Sequence, residues 1–255
     1  MGNNQIRVTR LPLVASWYHL LSAFDLNGES HTCFNPNYHK RMDKLRTRSS
    51  TPLSQKFGEF HALYRSTGGR SAVHYLPLIS DNNQYTEMTL SSLGKLDAAP
   101  ADLPPLARRS IAPLANSRGA TLTRWIMEQI QEERSHFWDT HFAKQETALN
   151  TLMGEFQGYL KKHLVALLHA LYGDLSQDIV VFVVEALGKH SFALQPDQRI
   201  HHVALMPQGQ FEQSLFHVLT ALVKRRSDRV IRHHFPDGVQ NTPDDSTANQ
   251  MRFDA

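Results

Sequence analysis

Cysteine is nearly missing from this chain. Cys33 is the only one in 255 residues, so no intrachain disulfide and no cysteine-built zinc knuckle can form. That scarcity fits a reducing compartment. His31 and His39 stand close by in sequence, yet a lone thiol reads as a bystander before it reads as a nucleophile. A long apolar run is also lacking. The nearest thing to one, Leu11 to Phe24, is broken by Pro12, Trp17, Tyr18 and His19. It is too short for a bilayer and has no small-x-small cleavage site after it. Met1-Gly2 fails the myristoylation pattern, because Ile6 stands where Ser or Thr is required. The expectation is a soluble, unprocessed, cytoplasmic protein with no membrane span.

Charge of one sign is equally scarce: 27 Lys and Arg oppose 24 Asp and Glu, for a formal +3 and a pI near 9.0. A nucleic-acid binder needs concentrated basic surface, which so small a surplus does not imply. Phosphate-cradling glycine loops are absent, since Gly68-Gly69 lacks both the spacing and the Lys-Ser/Thr partner. There is no Gly-x-Ser-x-Gly elbow, which argues against an α/β-hydrolase. Neither an internal repeat nor a low-complexity block is present. What remains is 41% hydrophobic and 20% charged, ordinary for a globular chain long enough to bury a substantial core.

Apolar periodicity predicts mostly helix. Leu13, Trp17, Leu20, Leu21 and Phe24 share one helical face. Asn35-Pro36 starts a second helix, and Thr51-Pro52 a third by a hydroxyl cap with proline at the first position. Residues 71–79 read as either strand or short helix. Four prolines between Asp97 and Gly119 predict an irregular connection or short broken helices. Beyond it, Leu122, Trp125, Ile126 and Ile130 resume a helix, and a stripe from Leu149 through Phe156, Leu160, Leu164 and Leu168 sustains helical spacing over many turns. The period then changes. Asp178 to Glu185 is a continuous β-branched run, expected of a strand covered on both faces. Arg199 to Met206 predicts a second strand after a loop containing Gln195-Pro196-Asp197, and Gln208 to Arg229 a last helix. The regions expected are a helical one at 1–96, a proline-rich connection at 97–119, a helical and β core at 120–235 and a disordered tail at 236–255. The fold class expected is mainly α with a small β element.

Where the chemistry would sit is less plainly written. Leu215-Phe-His-Val-Leu-Thr-Ala221 resembles the active-site helix of His-Glu-x-x-His zinc metallopeptidases of the gluzincin type, in bacterial families with a mainly helical body. In that pattern two histidines four apart hold zinc and the glutamate activates its water. The motif follows a short sheet, after a long helix ending in a Tyr-Gly pair such as Tyr172-Gly173. The resemblance spans Trp125 to Ile231 and implies a zincin-like body. It gives His217 the place of the first zinc ligand. Val218 stands where the general base belongs and Ala221 where the second histidine belongs. Valine cannot accept a proton and alanine cannot coordinate metal, so the expectation is a degenerate, non-catalytic domain acting through binding or as a scaffold.

Two other readings stay open. One is an active metal-dependent hydrolase whose ligands are scattered, zinc being the candidate cofactor. There are 15 histidines. His201 and His202 point to opposite faces of a strand, and either, with His202 as the candidate, could join His217; each also reads simply as a core histidine. Glu132, Glu133, His136 and Asp139 could form one wall of an acid–base site or only a solvated helical face. The other reading is a basic-surfaced module: Lys224, Arg225, Arg226 and Arg229 form the densest basic run, able to meet nucleic acid or an acidic partner. A cationic helix end also complements the helix dipole unaided, so a protein partner is preferred to nucleic acid.

Overall fold

The computed structural model describes residues 5–24, 33–46, 56–67, 70–95, 103–172, 178–188, 191–197, 199–207, 211–220 and 222. Four strands, β1 (Ile6–Thr9), β2 (Asp178–Val183), β3 (Phe192–Asp197) and β4 (Ile200–Leu205), form one sheet in the order β1-β2-β4-β3. β1 and β4 both run parallel to β2, with Ile6 opposite Ile179 and Asp178 opposite Ile200, while β3 pairs antiparallel with β4. The two central strands are β2 and β4, both buried on both faces, as the continuous β-branched run of β2 requires.

The edge strands are the ones that their sequences conceal. β3 contains Pro196, which gives a ladder no donor. It is tolerated because β3 lies at the sheet edge and its pairing is irregular between Leu194 and Asp197. The predicted loop there is therefore a strand. β1 is four residues long with only Ile6 and Val8 buried, too brief for periodicity to announce. Its outer amide is not left bare: Val8 N–H donates to Gln157 Oε1 at 2.9 Å.

Eight helices accompany the sheet among the described residues: α1 (Pro12–Ala23), α2 (Pro36–Arg46), α3 (Phe57–Ser66), α4 (Asn83–Lys95), α5 (Pro105–Ile111), α6 (Ser117–Glu133), α7 (Asp139–Tyr172) and α8 (residues 211–220). Ten of the twelve α1 residues are buried, so the interrupted apolar run at 11–24 is a core helix covered nearly all round. The ambiguous 71–79 segment forms two 3₁₀ turns, Arg70–His74 and Leu76–Leu78. The proline-rich connection contains α5 and a further 3₁₀ turn, Ala112–Leu114. α6 then begins at Asn116, whose side chain accepts from the N–H groups of Arg118 and Gly119. A Cβ on Gly119 would fall 2.1 Å from the Leu114 carbonyl oxygen, so only glycine permits that tight entry. The predicted cap at Thr51-Pro52 and the tail at 236–255 lie outside the described residues.

Alternation along the strands divides the core in two. Val180, Phe182 and Ala204 face a cluster supplied by α1, α3, α4 and α6, including Trp17, Phe60, Leu90 and Ile126. Ile179, Val181, Val203 and Leu205 face the other way, onto Phe156, Leu160 and Leu164 of α7 and Leu215 and Val218 of α8. The first cluster draws on residues from Leu13 to Ala204, so the 1–96 and 120–235 regions share one core. The fold is mainly α with a small sheet beside the last helix. Between α6 and α7 the chain makes a single π-helical turn, Arg134–Trp138. Among the described residues no helix is long and apolar enough to cross a membrane.

Candidate functional site

α8 lies against the sheet, but it turns toward the core the residue that the resemblance would place over a metal. Val218 is fully buried with Leu215 and Leu222 in the α7-facing cluster, while Phe216 is 66% exposed. His217 sits between these extremes, half-buried. His202 does not meet it. On β4 it shares the parity of Ala204, which faces the α1 side of the sheet. There His202 packs edge-on to Phe182 and donates from Nδ1 to the Leu78 carbonyl at 2.6 Å. His201, of the opposite parity, is the one turned to the α7–α8 layer. Among the described residues no group of three or more His, Cys, Asp or Glu side chains could hold a metal ion. The positions assigned by the resemblance therefore do not fit zinc: His217 can ligate, Val218 is core, and Ala221 has no donor. Lys224, Arg225, Arg226 and Arg229 lie outside the described residues.

Burial holds the His202 imidazole below its ordinary pKa, with the Leu78 hydrogen bond offsetting part of that shift. The sign follows directly. The unfolded chain binds this proton more readily, so the stability tied to the neutral ring is complete above the unfolded value, about 6.5. It is lost as pH falls from there toward the lowered native value. His202→Asn keeps a donor near Nδ1 and removes the titration. Urea midpoints measured from pH 7.5 down to 5 are expected to fall less steeply in this variant than in the wild type.

A polar cluster is assembled elsewhere, beyond the carboxyl ends of β1 and β2, where ligands gather in sheets with parallel strands. Arg10 follows β1 directly and Glu185 lies two residues past β2. Arg10 Nη2 meets Glu185 Oε2 at 3.1 Å, and Arg41 of α2 reaches Glu185 Oε1 at 3.2 Å. His141 Nε2 of α7 lies 3.6 Å from Oε2, at ion-pair rather than hydrogen-bond distance. Arg10 also donates from Nη1 to the Phe142 carbonyl at 2.8 Å, with its guanidinium 3.5 Å above the Phe142 ring. Burial lowers the Arg10 pKa against the pull of Glu185. Burial alone would raise the Glu185 carboxyl, but His141, Arg10 and Arg41 outweigh it and hold the carboxyl below its usual range.

A second chain of contacts adjoins the first. Tyr38 Oη lies 2.9 Å from His19 Nδ1, and His19 Nε2 lies 3.1 Å from Glu133 Oε2, all three residues being buried. The Tyr-His-Glu order resembles a nucleophile, base and orienting acid. Burial instead pushes the Tyr38 hydroxyl far above its ordinary pKa, so it is a donor and not a poised nucleophile. Trp138 stands beside it, and its indole, turned to the Tyr38 hydroxyl, offsets part of that rise.

Of the acidic cluster read from the sequence, only Glu133 enters this group. Glu132 pairs with Lys56, Asp139 with Arg134, and His136 is exposed. The π-helical turn separates them. Arg10, Glu185 and the α2 pair Tyr38 and Arg41 come from segments far apart in sequence, and no spacing rule joins those segments. One signal was legible: a lone glutamate ends the apolar β2 run, where a buried strand gives way to a charge. Compared with known proteins, the chain matches no family model, no curated protein and no solved structure.

Proposed function

We propose that this chain is a metallopeptidase-like domain that works by binding and no longer by hydrolysis. One observation carries the reading: the position where a peptidase would hold its general base is Val218, fully buried between α7 and the sheet. A glutamate there would place an unpaired charge in an apolar cluster. The succession of long helix, small sheet and final helix agrees with the expected body. The missing donors turn the surviving His217 from a ligand into a relic on the helix border.

Metal analysis and a peptidase assay on the full chain test this. The purified protein is expected to carry zinc far below one equivalent. It should hydrolyse unfolded casein no faster after zinc addition, and it should keep its melting temperature in chelator. Stoichiometric zinc that disappears in His217→Ala, together with zinc-dependent cleavage, would overturn the proposal.

A further inference from the structure

The polar cluster at the ends of β1 and β2 carries an inference that is independent of α8. We propose that the cluster centred on Arg10, Arg41 and Glu185 is a binding site for a small oxyanion, a phosphate or carboxylate group entering beside Arg41. Three observations support it.

First, the charges do not balance locally. Two guanidinium groups converge on the single carboxylate of Glu185, with the His141 ring beside it. Glu133, the other buried acid nearby, is engaged by His19. Tyr38 contributes no negative charge, its hydroxyl being held neutral by burial. Glu146, on the exposed side of α7, is the weakest of the groups attracting Arg10.

Second, a buried donor remains without an acceptor. Glu185 Oε1 serves Arg41, Oε2 serves Arg10, and the Phe142 carbonyl takes Arg10 Nη1. Arg10 Nε is a donor-only group, buried, with no hydrogen-bond partner among the described residues, while Trp138 is turned to Tyr38 and His141 Nε2 to Glu185. The Arg10 side chain is 5% exposed and Trp138 2%. A group carrying several acceptor oxygens and a negative charge answers both deficits, and bidentate arginine pairing is the usual way to hold one. A buried water would supply the acceptor without the charge.

Third, the cluster reaches the surface at Arg41. Arg41 is half exposed and lies against the Tyr38 ring at 5.6 Å. It can therefore turn from Glu185 to an incoming anion while Arg10 stays fixed beneath it.

The test uses the full chain and two probes, inorganic phosphate and acetate, titrated at constant ionic strength with sodium chloride. Melting temperature and tryptophan emission are followed together. At least one probe is expected to raise the melting temperature along a saturable curve, as ligand linkage requires, and to change the emission over the same range. Saturation by phosphate alone, or by acetate alone, assigns the source. Arg41→Gln should weaken the saturating probe by about tenfold or more, and Arg41→Lys, which keeps the charge, by less. A shift that never saturates, or one equally strong in Arg41→Gln, overturns the proposal. So does Arg41→Lys binding no better than Arg41→Gln.

Discussion

Glu185→Ala is expected to lower the unfolding free energy by about 3–5 kcal/mol, the usual consequence of removing one partner from a buried ion pair. The loss arises because Arg10 stays behind, 5% exposed, with a charge that burial opposes and no carboxylate to answer it. The same logic predicts a recovery. Arg10→Leu combined with Glu185→Leu removes both charges and should be considerably more stable than Glu185→Ala, since buried pairs often exchange for apolar residues at little net cost. Urea titrations of the single and double variants at pH 7 measure this; a double variant no better than the single one would refute the argument. Acid adds a second check. The Glu185 carboxyl is held below its ordinary pKa, so its contribution is complete above the unfolded value of about 4.3. It is lost as pH falls through the native value. The wild type should therefore lose more stability on acidification than the double variant does.

Phe156→Ala is expected to cost a similar amount, about 3–5 kcal/mol. Phe156 is fully buried at the middle of α7 and lies 5.1 Å, centroid to centroid, from the Phe211 ring at the start of α8. Its removal strips contacts from α7, the sheet and α8 together. A second readout separates this from a merely local cavity. Amide exchange in α8 should accelerate more than exchange in α1 or α6, whose packing belongs to the cluster on the other sheet face. Equal acceleration in both layers would show that the two cores do not respond separately.

These effects explain what could and could not be read from the residues. The α7 stripe and the β2 run were legible because each carries a strong period or a continuous β-branched composition over many residues, and β4 because its short apolar stretch follows a turn-rich loop. β1 was not, because four residues with two buried side chains make no pattern until β2 lies beside them. β3 was hidden by Pro196, whose meaning depends on whether a strand is central or at an edge, which is a property of the sheet. α4 carries few large apolar residues, relying on Thr86, Thr89, Leu90, Leu93 and Gly94 for its buried face. Gly94 there lets the Arg124 backbone approach. The candidate site suffered most. His217 was visible because it stands within a motif-like string, whereas Arg10, Arg41, His141 and Glu185 become neighbours only through the parallel pairing of β1 with β2 and the course of α2 and α7. Val218 shows the converse: on a helix, a shift of one position decides whether a residue faces a ligand or the core.

The π-helical turn at Arg134–Trp138 has a consequence of this same angular kind. From Ser117 to Tyr172 the chain is one helical rod serving two clients, with α6 keyed to the α1 side of the sheet and α7 to the opposite side. A wider turn acts as a one-residue insertion in an α-helix, and each residue advances the helix by about 100°. The turn is thus a phase adjuster. It lets one continuous rod keep time with two surfaces that a uniform helical period would not serve together, and it sets Glu133, Trp138 and His141 at the angles from which they meet the polar cluster.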